Sequence, residues 1–260
     1  MRSLADKRAI VTGASSGIGW HLAKQLAALQ TSVVACARRA DRLDQLAEEI
    51  RTAGGTCLTL AGDITSSETR QQLLEICQSQ LGGLDLLVNN AGIGAMGRFD
   101  AADAERMRKI FEVNFFAIAD LIRESLPMLK QGNDPVIVNM SSVLAHRAVP
   151  LKSEYCASKF ALHGLSDAIR AELSADGVDL LLVSPSTTDS EFFDRAIEDK
   201  TSRNWKKGGA MPPEKVAAKT IRAIQKRKHE IILTHGGRFL VWLDRLMPGI
   251  ADRLLARYGQ

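Results

Sequence analysis

Residues 8–19 read RAIVTGASSGIG, in which an apolar run leads directly into a glycine-rich turn. Ala9, Ile10 and Val11 have the continuous apolar character of a strand that is covered on both faces. A glycine turn between a strand and a helix presents backbone N–H groups that can bind the phosphates of a dinucleotide. The segment therefore predicts a strand, a phosphate-binding turn and a helix, although a glycine turn on its own can equally be structural.

The glycines of this turn follow the spacing GxxxGxG and not the more general GxGxxG. We expect Gly13 to allow the tight turn, Gly17 to let the backbone approach a pyrophosphate, and Gly19 to permit close packing of the helix on the sheet. Each glycine thus has a separate expected role.

The rest of the chain alternates short β-branched runs with longer helical patterns, which is typical of βαβ units and of a parallel sheet. The predicted strands are residues 8–12, 32–37, 57–61, 84–89, 135–140, 178–183 and 230–234. The predicted helices are residues 17–29, 40–53, 66–81, 103–131, 153–175 and 213–227. The predicted fold class is therefore α/β, a doubly wound seven-stranded parallel sheet (Rossmann fold) with helices on both faces.

The composition is that of an ordinary globular chain of 260 residues, 45% hydrophobic and 25% charged. It contains no internal repeat and no linker-like stretch, so we expect residues 1–236 to form one domain, followed by an amphipathic helical extension at residues 237–260. The net charge of +4 is spread over predicted helices without interleaved aromatic residues. Solvated helix faces account for this charge, and no nucleic-acid partner is expected.

Four cysteines occur in the chain, Cys36, Cys57, Cys77 and Cys156, and they show no CxxC spacing. They lie within predicted strands and helices, so we expect reduced thiols and neither a disulfide nor a metal site. The first strand begins near Lys7, which leaves no room for a signal peptide, and no apolar run approaches the ~20 residues that span a bilayer. These features predict a cytoplasmic protein.

The end of the second predicted strand carries Ala37, Arg38 and Arg39. NAD-binding proteins commonly place an acidic residue here for the ribose hydroxyls, and this chain offers no carboxylate. A guanidinium can instead pair with a 2′-phosphate through two charge-assisted hydrogen bonds. The sequence therefore favours NADP(H) over NAD(H), unless the two arginines simply begin a solvent-exposed helix.

Tyr155 and Lys159 lie four residues apart, and Ser142 lies thirteen residues upstream of the tyrosine. One helical turn places the phenol and the ammonium on the same face. A free tyrosine has a pKa of about 10, and a neighbouring ammonium favours the phenolate and lowers that pKa. We expect Tyr155 to act as acid or base on a carbonyl or alcohol oxygen, and Ser142 to hold that oxygen. Taken singly, each residue could be an ordinary polar side chain.

With these motifs in order, the chain resembles the short-chain dehydrogenase/reductase family over about residues 7–235. TGASSGIG matches the cofactor turn of the family, Asp63 the acidic residue near the adenine, and residues 89–92 the NNAG signature. Asn114 matches the asparagine of the active site, and residues 155–159 match the YxxxK motif. Any one motif is weak, but the ordered set is specific.

The resemblance implies an oxidoreductase that interconverts a ketone or aldehyde and an alcohol by hydride transfer to or from NADP(H). The implied catalytic residues are Asn114, in a water-linked proton relay, Ser142, Tyr155, and Lys159, which also contacts the nicotinamide ribose. The implied cofactor-binding residues are Gly13, Ser15, Ser16, Gly17, Ile18, Gly19, Arg38, Arg39, Asp63, Ile64, Asn90, Ala91, Gly92, Tyr155, Lys159, Pro185, Thr188 and Ser190.

Two further expectations concern the assembly and a rival function. Members of the family generally assemble through the helices that hold the active-site asparagine and tyrosine, which implies a homodimer or homotetramer. A nucleotide-binding sensor or scaffold with little turnover is the alternative function. The intact set of four polar groups argues against it, because a pure binding module has no need for all of them.

Three positions depart from the family pattern. Ser186 stands where the family usually has a glycine, and Ser190 replaces the threonine that contacts the nicotinamide amide. Ser190 keeps a hydroxyl, whereas Ser186 brings a Cβ to a tight backbone site. Ala145 stands where a glycine often follows the catalytic serine. None of these changes removes a catalytic group.

Residues 188–212 correspond to the segment that covers the substrate pocket in the family. Its larger apolar residues are Phe192, Phe193, Ile197, Trp205 and Met211. They predict an apolar substrate face, although the same side chains could anchor a lid to the core. His146 and Arg147 could line the mouth of the pocket, although a solvated loop is the simpler explanation.

Residues 237–258 read GRFLVWLDRLMPGIADRLLARY, an amphipathic pattern that Pro248 is expected to kink or split. Three interpretations stay open: packing on its own domain or on a partner subunit, an interfacial membrane anchor, or a cover over the substrate entrance. The segment is similar to C-terminal extensions in the branch around membrane-associated hydroxysteroid dehydrogenases. That resemblance implies peripheral membrane contact through residues 237–258.

Overall fold

A seven-stranded parallel sheet forms the centre of the protein, in the strand order β3-β2-β1-β4-β6-β7-β9. The computed structural model describes residues 1–189, 191–192, 196–198 and 210–256. The strands are β1 (Arg8–Thr12), β2 (Ser32–Ala37), β3 (Cys57–Ala61), β4 (Leu86–Asn89), β5 (Ala95–Met96), β6 (Val136–Met140), β7 (Asp179–Ser184), β8 (Ile197–Glu198) and β9 (Glu230–Ile232). The two short strands β5 and β8 pair with each other outside the main sheet. The predicted sheet is confirmed.

Helices cover the sheet, and most of them begin and end close to their predicted bounds. They are α1 (Gly17–Ala28), α2 (Ala40–Thr52), α3 (Ser67–Ile76), α4 (Ala104–Phe111), α5 (Ala117–Leu129), α6 (Ser153–Leu173), α7 (Pro213–Gln225), α8 (His235–Leu246) and α9 (Pro248–Ala256). Pro213 is the first residue of α7, where its missing N–H costs no hydrogen bond. Pro248 begins α9, so the C-terminal pattern is split as predicted.

The helix predicted over residues 103–131 is not uniform. A π-helical turn, Glu112–Phe116, separates α4 from α5. A π turn inserts an extra residue into the helical ladder and is frequent at functional sites. Asn114 lies within this turn and is completely buried. The apolar periodicity of the segment gave no sign of the insertion.

Side chains of β1 point alternately to the two faces of the sheet. Ala9 and Val11 belong to one buried cluster with residues of α1, α2 and α7. Ile10 belongs to a second cluster with residues of α3, α5 and α6. Because each face of the sheet buries its own helical layer, the fold is doubly wound, as predicted.

The strand order reverses beside β1, which has β2 on one side and β4 on the other. In open parallel sheets a ligand crevice forms at the carboxyl ends of the strands at such a point. Parallel pairing aligns Val11 with Val88 and Asn89 with Asn139. The segments that follow β1, β4 and β6 therefore meet at one edge of the sheet.

Candidate active site

A cleft of about 430 Å³ lies along the carboxyl ends of the strands. Most of the cofactor-binding residues predicted from the sequence line it: Gly13, Ser15, Ser16, Gly17, Ile18, Arg38, Arg39, Asp63, Ile64, Asn90, Ala91, Gly92, Tyr155, Lys159, Pro185 and Thr188. Gly19 and Asn114 do not line the cleft but lie behind it, and Ser190 falls outside the described residues. The fold thus brings together segments that are far apart along the chain.

The glycine turn is held by the residues that follow β4. The side-chain Nδ2 of Asn90 donates to the carbonyl oxygens of Thr12 at 2.9 Å and Gly13 at 3.1 Å. Thr12 Oγ1 in turn accepts from the backbone N–H groups of Asn90 and Ala91, both at 3.0 Å. The role of Thr12 was not predicted from the sequence, although Thr12 is the first residue of the glycine motif.

Two glycines of the turn are required by the geometry. Gly13 has a φ of 65°, which favours glycine. At Gly19 a Cβ atom would lie 2.4 Å from both Asn90 Nδ2 and the carbonyl oxygen of Gly13. The close approach of Gly19 is therefore to the turn and to Asn90, which is a more specific constraint than the helix packing expected from the sequence.

The N-terminus of α1 faces the cleft with its backbone donors available. Ser16 is the N-cap residue, but its side chain makes no capping hydrogen bond, and the first turn of α1 holds no acidic residue. The first N–H groups of a helix and its dipole together favour an anion. The turn and helix therefore fit the pyrophosphate of a dinucleotide.

Three arginines surround the outer end of the turn. Arg39 donates from Nη2 to Ser15 Oγ at 3.1 Å, and Arg42 stacks over the Trp20 ring with its guanidinium carbon 4.8 Å from the ring centroid. Arg38 is exposed at the rim of the cleft and makes no hydrogen bond or ion pair with any residue that the structure describes. Of these three arginines, Arg38 is thus the one most available to an anionic ligand, and Arg42 is a neighbour that was not predicted from the sequence.

Tyr155 is the third residue of α6 and is only 5% exposed. Burial raises the pKa of its phenol far above the ordinary range, while a hydrogen bond with the Ser142 side chain acts in the opposite direction. Ser142 Oγ also accepts from the backbone N–H of Leu144 at 3.1 Å, which fixes the serine side chain. Ser142 and Tyr155 therefore meet inside the cleft, as the sequence predicted.

Lys159 lies one turn further along α6, with Nζ 5.9 Å from the centroid of the Tyr155 ring. Its Nζ donates to the carbonyl oxygen of Met140 at 2.9 Å, and burial lowers the pKa of Lys159 to about 8. The expected lowering of the Tyr155 pKa is not found, because desolvation is the largest effect on the phenol and raises its pKa. The predicted direction of that pKa shift was wrong.

The Asn114 side chain forms its hydrogen bonds with other residues of the protein and does not line the cleft. Its Oδ1 accepts from the backbone N–H of Ile93 at 2.8 Å, and its Nδ2 donates to the Ile93 carbonyl at 2.9 Å and to Ser158 Oγ at 3.0 Å. A Cβ on Gly92 would lie 3.2 Å from Asn114 Oδ1 and 3.7 Å from Lys159 Nζ. Asn114 therefore positions the segment of the cleft wall that faces Lys159.

A buried ion pair positions the first turn of α6. Arg106 of α4 lies 2.6 Å from Glu154, with side chains 7% and 3% exposed. Glu154 directly precedes Tyr155, so this pair fixes the helix start that carries the phenol. This ion pair could not be predicted from the sequence, because the two residues have no spacing relationship along the chain.

Apolar side chains also line the cleft. The Phe192 ring lies edge-on to the Tyr155 ring, with centroids 5.8 Å apart. Other apolar lining residues are Ile93, Val113, Val143, Leu144, Val149 and Leu240. Of the remaining residues predicted for this region, Ile197 and Met211 are half-buried, whereas Phe193 and Trp205 lie outside the described residues.

His146 and Arg147 do not line the cleft. His146 is buried against Ser184 and Glu230, and Arg147 forms ion pairs with Asp244 of α8 and Asp252 of α9. The two residues therefore neither line the mouth nor form a solvated loop, and Arg147 ties the C-terminal helices to the turn beyond Ser142.

Ser186 and Ala145, which depart from the family pattern, do not adopt a positive φ. Ser186 is half-buried, and its backbone does not have the left-handed conformation that favours glycine. Ala145 is buried in the short 3₁₀ turn Val143–Ala145.

The first turns of α8 close one side of the cleft, through Gly236, Gly237 and Leu240. The opposite face of α8 and α9 exposes several large apolar side chains: Phe239, Trp242, Leu246, Met247, Ile250 and Leu254. None of the helices in residues 1–189 and 210–256 combines the length and the apolar content that crossing a bilayer requires. The extension thus packs on its own domain, covers part of the cleft and leaves an apolar surface uncovered.

This fold and arrangement of motifs are those of one protein family. The profile of the short chain dehydrogenase family matches residues 7–201, and the chain belongs to this family of oxidoreductases. Ketoacyl reductase HetN of Nostoc sp. is 29% identical over 265 residues, which cover 100% of this chain and 91% of that protein. Retinol dehydrogenase 8 of Bos taurus is 34% identical over 205 residues, which cover 77% of this chain and 65% of that protein.

Solved structures show the same fold. A short chain dehydrogenase/reductase from Burkholderia phymatum, in complex with NAD, has a TM-score of 0.88 at 24% identity and covers 96% of each chain. An alcohol dehydrogenase from the archaeon Thermococcus sibiricus, complexed with 5-hydroxy-NADP, has a TM-score of 0.78 at 25% identity and covers 87% of this chain and 95% of that chain. The parallel sheet and its helical layers are therefore those of short-chain dehydrogenases.

Proposed function

We propose that this protein is an NADP(H)-dependent oxidoreductase that interconverts an apolar ketone or aldehyde and the corresponding alcohol by hydride transfer. The observation that carries the proposal is that Ser142, Tyr155 and Lys159 meet in the same cleft as the glycine turn. A bound nicotinamide would donate or accept the hydride at that point.

Tyr155 is the proposed acid in the reductive direction. Because burial raises its pKa, the phenol stays protonated near neutral pH and can give its proton to a carbonyl oxygen. Ser142, hydrogen-bonded to the phenol and fixed by Leu144, can donate to the same oxygen and stabilise the charge that develops there. Below pH of about 8 the Lys159 ammonium is charged and can stabilise the phenolate left behind.

Asn114 is the proposed positioning residue for this set. Its two hydrogen bonds to Ile93 and its contact with Ser158 hold the cleft wall next to Lys159. The role of Asn114 in a water-linked proton relay, which the family resemblance implies, is proposed for this part of the cleft wall.

The preference for NADP(H) is proposed on charge. The end of β2 carries Arg38 and Arg39 where NAD-specific proteins commonly have a carboxylate, and Arg38 has no competing partner among the described residues. A 2′-phosphate would give Arg38 a bidentate partner. Arg39, which already donates to Ser15, would support the same edge of the ribose site.

An apolar substrate is proposed from the lining of the cleft. Phe192, Val149 and Leu240 line the same cleft as Tyr155, and the Phe192 ring contacts the Tyr155 ring edge-on. A ketoacyl reductase and a retinol dehydrogenase among the similar proteins act, by their names, on molecules with apolar chains, which supports the same substrate class here.

Two interaction surfaces belong to the proposal. Exposed Phe239, Trp242 and Ile250 on α8 and α9, beside Arg238 and Arg245, fit peripheral contact with a membrane surface by a protein that is otherwise cytoplasmic. That contact would place lipid next to Leu240 and the cleft.

The second surface lies on α4, α5 and α6. Met107, Phe116 and Phe160 are exposed on the helices around Asn114 and Tyr155, with 37%, 48% and 42% of their surfaces accessible. Isolated large apolar residues are normal at a surface, but a group on adjoining helices favours an interface between copies of the chain. We propose a homodimer or homotetramer built on this surface.

The decisive experiment compares NADPH and NADH oxidation against a panel of apolar ketones and aldehydes, for the wild type and Tyr155→Phe. Turnover that prefers NADPH and is lost in the variant supports the proposal. Tight NADPH binding without turnover that depends on Tyr155 would favour the sensor or scaffold function, and a preference for NADH would refute the assignment of Arg38.

A further inference from the structure

A second cluster of chemically active side chains lies away from the cleft, where the turn after β6 meets α6 and β9. It consists of His146, His163 and Glu230. One nitrogen of each imidazole and one oxygen of the carboxylate all lie within 4.8 Å of one another. Because the three residues are distant along the chain, their spacing in the sequence does not predict the cluster.

His163 has one nitrogen that the protein leaves unsatisfied. Its Nε2 lies 3.3 Å from Asp167 Oδ2, one turn further along α6. Its Nδ1 is buried and has no hydrogen-bond partner among the described residues. When Nε2–H donates to Asp167, Nδ1 carries a lone pair that faces no donor, and buried polar atoms normally have partners.

His146 and Glu230 complete the set. His146 Nε2 lies 3.0 Å from Ser184 Oγ and 3.1 Å from Glu230 Oε1, and the two imidazole rings meet edge to face with centroids 4.6 Å apart. The His146 side chain is 2% exposed, whereas that of Glu230 is 35% exposed. The cluster is therefore buried on the imidazole side and open to solvent on the carboxylate side.

The surroundings of His163 favour the neutral form of its imidazole. Burial lowers the pKa of His163, and the neighbouring His146 acts in the same direction, while Asp167 and Glu230 oppose it and Arg170 adds to it. Neutral imidazole and carboxylate are the forms that bind Zn²⁺.

We propose that His146, His163 and Glu230 form a binding site for a divalent transition-metal ion of the Zn²⁺ type. Two imidazoles and one carboxylate are a common zinc ligand set, and the fourth position would be a water on the open side of Glu230. Asp167 would be the carboxylate that orients a metal-bound histidine through its other nitrogen. The ligand atoms would move closer together to reach zinc bond lengths of about 2.0–2.2 Å.

The bound ion would join three elements that carry or adjoin the proposed catalytic groups. His146 follows the turn that begins at Ser142, His163 lies on the helix of Tyr155 and Lys159, and Glu230 begins the edge strand β9. The site would thus stabilise the fold without contacting the substrate. The inference is independent of the proposed hydride transfer.

The test uses the full chain after treatment with a chelator, titrated with Zn²⁺ by calorimetry and with Co²⁺ by visible absorption. We expect one strongly bound ion per chain, the intense d–d bands of four-coordinate Co²⁺, and a higher melting temperature with Zn²⁺. His163→Gln should weaken Zn²⁺ binding by at least about tenfold and abolish the bands. His229→Gln is the matched control, because its side chain is exposed and outside the cluster.

Equal Zn²⁺ affinities in these two variants, or no binding at the wild-type chain, would overturn the proposal. Should His163→Gln fail to fold by circular dichroism, Glu230→Gln replaces it, since the removed charge is partly exposed. Retention of the full affinity in Glu230→Gln would likewise exclude the site.

Discussion

Ser142 and Tyr155 are joined by a hydrogen bond between their side chains, inside a cleft whose opposite end is formed by the glycine turn. The bond opposes the rise in the phenol pKa that burial causes, and it connects the turn after β6 to the first turn of α6. The two hydroxyl groups therefore lie where both can donate hydrogen bonds to one carbonyl oxygen.

Removal of the phenol hydroxyl should remove the acid. Tyr155→Phe is expected to lower kcat for carbonyl reduction about 10²- to 10⁴-fold, the contribution of a positioned general acid. The Kd for NADPH, measured by fluorescence titration, should change little, because the ring and its contact with Phe192 are kept. Undiminished turnover in this variant would show that another group protonates the substrate.

Reduction should slow as the pH rises through about 8, the pKa to which burial lowers Lys159. Below that pH the ammonium is charged and can stabilise the developing phenolate; above it the charge is lost, while Tyr155 stays protonated because its own pKa is raised. The measurement is kcat at saturating NADPH and substrate as a function of pH.

Lys152 is the competing explanation for such a profile, since it also lines the cleft and burial lowers its pKa as well. Lys152→Gln should keep the alkaline decline if Lys159 causes it. A profile that becomes flat in Lys152→Gln would move the assignment to Lys152.

Cofactor preference should respond to Arg38. Arg38→Asp is expected to lower kcat/KM for NADPH about 10- to 100-fold, because charge-assisted hydrogen bonds contribute about 1.5–3 kcal/mol, and to improve the relative use of NADH. Arg51→Gln, an exposed arginine at the other end of α2, is the control and should leave the ratio unchanged. Equal losses with both cofactors would mean that Arg38 does not meet the 2′-phosphate.

Gly19 should tolerate no side chain. In Gly19→Ala the new Cβ would lie 2.4 Å from Asn90 Nδ2 and from the Gly13 carbonyl, so the turn must shift, and the free energy of unfolding should fall by about 1–3 kcal/mol. Gly164→Ala in α6 has no atom within 4 Å of its Cβ and should gain up to about 1 kcal/mol from helix propensity. Urea unfolding measures the free energy of unfolding of both variants. Changes of the same sign in the two variants would contradict the prediction.

The apolar surface on α8 and α9 should bind anionic vesicles. The double variant Phe239→Ser with Trp242→Ser is expected to lower the fraction that co-sediments with phosphatidylserine-containing vesicles several-fold, and added salt should weaken binding through the neighbouring arginines. Phe99→Ser removes an equally exposed aromatic residue elsewhere and is the control. Failure of the wild type to co-sediment, with a change of oligomeric state in the double variant, would identify the surface as a subunit interface.

Elements with strong local patterns were predictable. The buried strand β1, the glycine turn and helix α1 follow from twelve consecutive residues, and the seven sheet strands follow from their apolar runs. The helix over residues 103–131 was predicted without its π turn, because a single inserted residue at Asn114 hardly changes the apolar periodicity. The two-residue strands β5 and β8 are too short to leave a pattern at all.

The candidate site also contains residues that were predictable from the sequence and residues that were not. Ser142, Tyr155 and Lys159 could be proposed from residue types and spacing, and the structure brings them to one cleft. The contribution of α8 to the wall through Leu240 was one of three interpretations that the sequence left open. The ion pair of Arg106 with Glu154 behind Tyr155 had no signal in the sequence, since it joins segments that are remote along the chain.

The sequence by itself determined which residues form the strands of the main sheet and most of the helices, and which chemical groups stand at their ends, because these depend on neighbours a few positions away. Only the tertiary structure decided how those groups behave. Burial raises the pKa of Tyr155 and lowers that of Lys159, Asn114 turns its amide to Ile93, and His146 meets His163 and Glu230. Desolvation and long-range contacts set these properties, and both arise only when distant segments of the chain pack together.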